Sequence, residues 1–141
     1  MKRLVMPTLV LAAAFLFSAG ASAQDYFSGH FAQQSGEAVF KNICQGCHMP
    51  NAQGAVGAGR YPALAKNPKL VEPGYPVMMV MNGNKAMPSF GGELDDTQIA
   101  NVVNYVRTHF GNHYTDAVTP AFVASARPAG MRPAGKAKEH N

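Results

Sequence analysis

A chain of 141 residues, 47% hydrophobic and 14% charged, has room for one domain and the composition of a globular rather than a disordered one. The formal net charge of +4 is unevenly held: residues 24–119 carry six basic and seven acidic side chains, residues 120–141 four and one. The basic character therefore belongs to the C-terminal end, and nucleic-acid binding, which needs a basic face on the folded part, is disfavoured.

At the N-terminus, Lys2 and Arg3, the apolar run from Leu4 to Phe17 and the stretch Ala21-Ser22-Ala23 read as a secretory signal cleaved after Ala23. The alternative is an uncleaved anchor, against which Ser18, Gly20 and Ser22 interrupt the run short of the ~20 apolar residues a span needs. Residues 24–34 show no lasting period and form a lead-in segment whose aromatics Tyr26, Phe27 and Phe31 would lie on the domain. Ser35 is placed to cap a short helix through Cys44, with Val39, Phe40 and Ile43 at helical spacing.

Prolines and glycines between Pro50 and Pro76 predict irregular chain that must wrap around something. Val77 to Met81 then suits a short buried helix ending at Asn82-Gly83-Asn84. The clearest element follows. Asp95 caps, Gln98 reaches back, Leu94 staples onto Ile99, and Ile99, Val102, Val103, Val106 and Phe110 make one apolar stripe closed by Gly111. Beyond Asn112 the chain is Ala-, Pro- and Lys/Arg-rich and too poor in large apolar groups to fold alone. With no strand pattern and no repeat, the expected class is all-α, with three to four short helices and long loops. Such a chain of about 95 residues buries little core, so another element must supplement it.

That element is indicated by Cys44-Gln45-Gly46-Cys47-His48, which holds both cysteines of the chain. A structural zinc site wants four N or S ligands, and no further cysteine exists. A dithiol redox pair fits the two cysteines but lacks the βαβ setting of thioredoxin-like chemistry. Covalent haem attachment fits the whole motif: the thiols reach the two vinyl groups of one porphyrin, and the next residue brings an imidazole to the iron. A haem, one per chain, also supplies the large apolar body that loops can pack around.

The second axial position must then be filled from the opposite side. Met78, Met79, Met81 and Met87 are the downstream sulfurs, and Met49 is too close to His48 to cross over. Met87 is the expected ligand, because it lies in a loop between Asn82-Gly83 and Gly91-Gly92 and Pro88 stiffens its exit. Core filling is the expected role of Met78 and Met79. His30, His109, His113 and His140 are expected at the surface.

Residues 35–111 resemble the class I c-type cytochromes, through Cys44–His48, Ala86-Met87-Pro88-Ser89-Phe90 and the helix-packing residues Gly36, Phe40 and Tyr105. The resemblance implies the cytochrome c fold, a close crossing of the N- and C-terminal helices at Gly36, and Phe40 and Tyr105 beside that crossing. Tyr61-Pro62-Ala63-Leu64 resembles the segment whose proline carbonyl accepts a hydrogen bond from the haem-ligating histidine, which would give Pro62 the task of fixing the His48 tautomer. The stretch from Met87 to Asn112 is similar to single-haem cytochrome subunits that accompany periplasmic dehydrogenases.

The expected organisation is a signal peptide at 1–23, a lead-in at 24–34, a cytochrome c domain at 35–119 and a basic tail at 120–141. The expected function is a periplasmic, non-enzymatic carrier that moves one electron at a time from a dehydrogenase towards a cytochrome or oxidase of a respiratory chain. Phe40, Leu64, Phe90 and Tyr105 would exclude water from the haem, and an exposed edge near Cys47 would meet partners through a small interface. Val118, Phe122 and Val123 could dock on a larger subunit and Arg127, Arg132, Lys136 and Lys138 could meet an acidic surface, as in docking to a membrane-associated complex; the alternative for residues 128–141 is a solvated tail. The alternative is a haem enzyme or gas-binding protein whose sixth iron position is open or labile.

Overall fold

Ser35 opens the first helical stretch, its side chain accepting a hydrogen bond from the Ala38 N–H at 3.2 Å. In the computed structural model, which describes residues 31–57 and 59–133, this stretch has three consecutive parts: α1 (Gly36–Val39), a wide π-helical segment (Phe40–Cys44) and α2 (Gln45–His48). The predicted start is met, and the helix runs on to the histidine. Residues 1–30, with Tyr26, Phe27, His30 and the signal-like segment, lie outside the described residues, as do Lys136, Lys138 and His140.

Two further helices follow the loop region. α3 (Gly74–Asn82) begins earlier than its apolar run and stops at Gly83, which adopts φ +69. α4 (Asp96–Thr108) carries the full capping box of Asp95 and Gln98, as its sequence predicts. It ends before the expected stop: His109 is already extended, and Phe110 (φ 57) and Gly111 (φ 77) both turn left-handed. The Phe110 carbonyl there accepts from the Lys66 N–H at 3.1 Å, so the chain leaves the helix to pair with the loop.

α4 is the hub. It packs against α1, α3 and a fifth helix, α5 (Pro120–Ala126). A β-carbon on Gly36 would lie 2.0 Å from the Asn101 carbonyl oxygen and 2.8 Å from Tyr105 Cβ, so the α1–α4 crossing requires glycine. Gln98 and Asn101 hold the lead-in chain on α4 by donating to the carbonyls of Phe31, Gln33 and Gln34. The core fills the space between these helices with Val39, Phe40, Val77, Met81, Leu94 and the α4 stripe.

Three expectations are corrected. A small antiparallel ribbon is present, β1 (Ala55–Val56) paired with β2 (Arg60–Tyr61); at two residues per strand it is too short to show an alternating pattern. Residues 120–133 extend the packed unit: Thr119 caps α5, and Val118 and Val123 are buried in this chain's own core, so these two valines present no docking surface. Met78 is 37% exposed, and of the three methionines on α3 only Met81 is fully buried, because position 78 falls on the outer side of the helix.

Candidate cofactor site

The π-helical segment delivers Cys44 at its end, and α2 carries Cys47 and terminates on His48. Wide turns of this kind are rare and concentrate at functional sites. Both cysteines are free thiols; Cys44 is half-buried and Cys47 exposed. Burial, with a smaller contribution from neighbouring Cys47, pushes the Cys44 thiol up to about 12, so it stays protonated at neutral pH.

His48 is buried, and its Nδ1 lies 2.9 Å from the Pro62 carbonyl oxygen. A carbonyl oxygen only accepts, so Nδ1 carries a proton, and in the neutral ring it is Nε2 that holds the lone pair. This is the tautomer and orientation of a metal-binding imidazole whose other nitrogen is anchored.

The intervening loop builds that contact. The Gly54 N–H donates to the His48 carbonyl at 3.0 Å, and the Leu64 and Ala65 N–H groups both donate to the Ala52 carbonyl, at 2.8 and 2.9 Å. Met49 (φ 66, ψ 155) and Ala52 (φ 58) take conformations that L-residues rarely adopt, strain of the kind found at functional sites. Gly54 sits at φ +68, where a β-carbon would be 2.2 Å from the Tyr61 carbonyl oxygen. The strained backbone at Met49 and Ala52 and the close approach at Gly54 are not expected from the sequence. The Gly54 signal was a glycine six residues past the motif; nothing marked the other two.

Met87 is half-buried in a hairpin-like turn whose ends are tied by reciprocal Asn84–Met87 backbone hydrogen bonds of 2.9 Å. The turn is fastened back onto α3: Ser89 Oγ donates to the Met81 carbonyl at 2.5 Å, and the Phe90 N–H to that of Val80 at 2.9 Å. Of the expected packing residues, Phe40 is buried, with its ring 5.7 Å from that of Tyr105 and 4.8 Å from that of Phe110. Leu64, Phe90 and Tyr105 pack on the core with part of their surface open. His109 and His113 are exposed.

The family described as cytochrome c oxidase, cbb3-type, subunit III matches residues 31–106. Cytochrome c6 of Diacronema lutheri is 35% identical over 83 residues, 55% of this chain and 95% of that protein. The chain belongs to the cytochrome c family. Cytochrome c6 of Picosynechococcus sp. is 32% identical over 122 residues, 79% of this chain and 97% of that protein. The cytochrome is also similar to the cytochrome c subunit of alcohol dehydrogenase (quinone) from Gluconacetobacter polyoxogenes, 33% identical over 116 residues. It spans about a quarter of that subunit's length, the aligned share being 24% of the subunit against 73% of this chain.

The family's group is covalently bound haem c, and the residues present fit it. Two unpaired thiols and an anchored imidazole share the last turns of one helix, and half-exposed apolar side chains remain to be covered. When bound, the haem supplies a one-electron ferric/ferrous couple. The chain's own part is to hold, orient and shield that group.

Proposed function

We propose that this cytochrome is a periplasmic one-electron carrier between a dehydrogenase and a respiratory acceptor, with Cys44 and Cys47 as thioether anchors and His48 and Met87 as axial ligands. The observation that supports the ligand reading is the 2.9 Å contact from His48 Nδ1 to the Pro62 carbonyl, which leaves Nε2 as the ring nitrogen available to an iron. Cys44 and Cys47 would hold the haem by addition of each S–H across one vinyl group, sulfur to one carbon and hydrogen to the other, an attachment that needs no oxidant. The Pro62 hydrogen bond raises the basicity of the imidazole, and the neutral thioether of Met87 favours the reduced form. With His48 and Met87 both on the iron, no position would remain for a substrate.

The partner reading draws on the alcohol dehydrogenase (quinone), gluconate 2-dehydrogenase and fructose dehydrogenase cytochrome subunits among the relatives. The periplasmic reading draws on the signal-like residues 1–23, and a mature chain beginning at Gln24 tests it. The ligand set is tested by ferric and ferrous spectra of the holoprotein with and without Met87→Ala. Resistance of the ferrous wild type to carbon monoxide at neutral pH, lost in Met87→Ala, is the expected result. Ready binding by the wild type would favour the open-site alternative and overturn this reading.

A further inference from the structure

We infer that Arg127 is a positioning residue for the methionine loop, holding Met87 on the iron from a segment that lies outside the domain expected from the sequence. The inference rests on the assignment of Met87 above. The Arg127 guanidinium is almost wholly buried, its side chain 7% exposed. Nε donates to Asp96 Oδ1 at 2.6 Å, Nη2 to the Leu94 carbonyl at 3.0 Å, and Nη1 to the Gly91 carbonyl. Gly91 is four residues past Met87, at the exit of the loop.

Gly91 is also gripped from its other sides. Its N–H donates to the Met81 carbonyl at 3.1 Å, and Met131 Sδ occupies the place a β-carbon would take, at 2.2 Å. The Met131 N–H in turn donates to the Pro128 carbonyl at 3.1 Å, folding the chain after Arg127 over the same turn. One guanidinium therefore joins the loop exit to the first turn of α4 and to the end of α5.

A thioether is a weak neutral ligand, and a ligand's hold falls with the fraction of time its loop spends in the binding geometry. Charge-assisted hydrogen bonds from a buried guanidinium to the Gly91 carbonyl at the loop exit and to the Leu94 carbonyl just before α4 raise that fraction, since opening the loop at Gly91 must leave its bond unpaired. The same pairing occupies the side chain internally, so Arg127 is unavailable to an acidic partner surface.

The test compares wild-type holoprotein with Arg127→Gln, Asp96→Asn, Met87→Ala and, as a control in the exposed tail, Arg132→Gln. The readouts are the far-red absorption of methionine-ligated ferric haem and the rate of carbon monoxide binding to the ferrous protein. Arg127→Gln is expected to weaken the band and raise the binding rate roughly tenfold, the effect of losing one charged hydrogen bond. Asp96→Asn, which leaves both carbonyl contacts, is expected to shift both in the same direction by less, and carries the test if Arg127→Gln yields no holoprotein. Arg132→Gln is expected to match wild type. If Met87→Ala abolishes the band while Arg127→Gln and Asp96→Asn keep wild-type band and binding rate, merely melting earlier, Arg127 is a staple for the tail and the inference fails alone. If Met87→Ala leaves the band untouched, the ligand assignment fails and takes the inference with it.

Discussion

Gly54 lies so close beneath Pro62 that a β-carbon on it would stand 2.8 Å from the Pro62 carbonyl oxygen, the oxygen that accepts the hydrogen bond of His48. The ribbon and the His48 imidazole are thus coupled through a residue with no side chain. Gly54→Ala adds both this collision and a left-handed conformation costly to any β-carbon, about 2 kcal/mol together. Denaturant melts of the holoprotein should show that loss. The reduction potential should rise as the imidazole loses its anchor and becomes a poorer donor. Gly57→Ala, with open space around it, should leave both unchanged.

The α1–α4 crossing makes a second prediction. At Gly36 the obstacle is backbone, the Asn101 carbonyl at 2.0 Å from an added β-carbon, so no rotamer change relieves it. Gly36→Ala should force the helices apart at about 1–3 kcal/mol. Because α1 continues through the π-helical segment to Cys44 and His48, the yield of covalently loaded haem should fall along with the urea midpoint. Wild-type yield and midpoint would show that the crossing adjusts freely.

How far the fold and site could be read from the sequence depends on where their information is stored. The capping box at Asp95 and Gln98, the Ser35 cap and the closely spaced thiols and imidazole are local patterns, and they are where the sequence put them. The Pro62–His48 contact is non-local and came through family resemblance; spacing alone would not have given it. The π-helical segment, the strained Met49 and Ala52 and the two buried arginines carry no local mark. An arginine in an Ala/Pro-rich stretch has the composition of a tail, and what internalises it is acceptors supplied by distant chain. α5 is hidden for the same reason: Val123 looks isolated in sequence, and the helix that carries it packs on α3 and α4.

Arg107 illustrates how much such an acceptor set contributes. Its guanidinium is buried at the end of α4 and donates to the Leu70 carbonyl at 2.9 Å, the Val71 carbonyl at 3.1 Å and Asp116 Oδ1 at 2.6 Å. It ties the loop before α3 to the chain after α4. Arg107→Met fills similar volume but leaves these acceptors unmet, and should cost about 3 kcal/mol in a thermal or urea melt. A wild-type melt would show that water replaces the arginine without penalty.

The same pair gives a pH dependence of definite sign. The hydrogen bond from Arg107 holds the Asp116 carboxyl below its ordinary value of 3.8. A carboxyl depressed in the folded state contributes stability above its unfolded value, and that contribution is lost as pH falls through the folded one. The difference in melting temperature between wild type and Asp116→Asn should therefore be constant at neutral pH and shrink as pH drops below 3.8. Because the carboxylate is mostly exposed, the difference should be small and decrease with added salt. A difference that grows on acidification would contradict the pairing.

α5 contributes to stability in this chain alone. Val123 is fully buried, and Thr119 caps the helix by accepting from the Phe122 N–H at 3.1 Å. Val123→Ala removes two methyl groups from a closed site and should cost about 2 kcal/mol, with Thr119→Ala costing about 1 kcal/mol more at the cap. Both losses should appear in the purified cytochrome with no partner present. A surface reserved for docking would behave otherwise: the isolated protein would melt as wild type, and the substitutions would register only in the affinity for a redox partner. The partly exposed Phe122 provides the contrast within the same helix. Phe122→Ala should cost less stability than Val123→Ala despite deleting more carbon, since much of its ring already faces solvent.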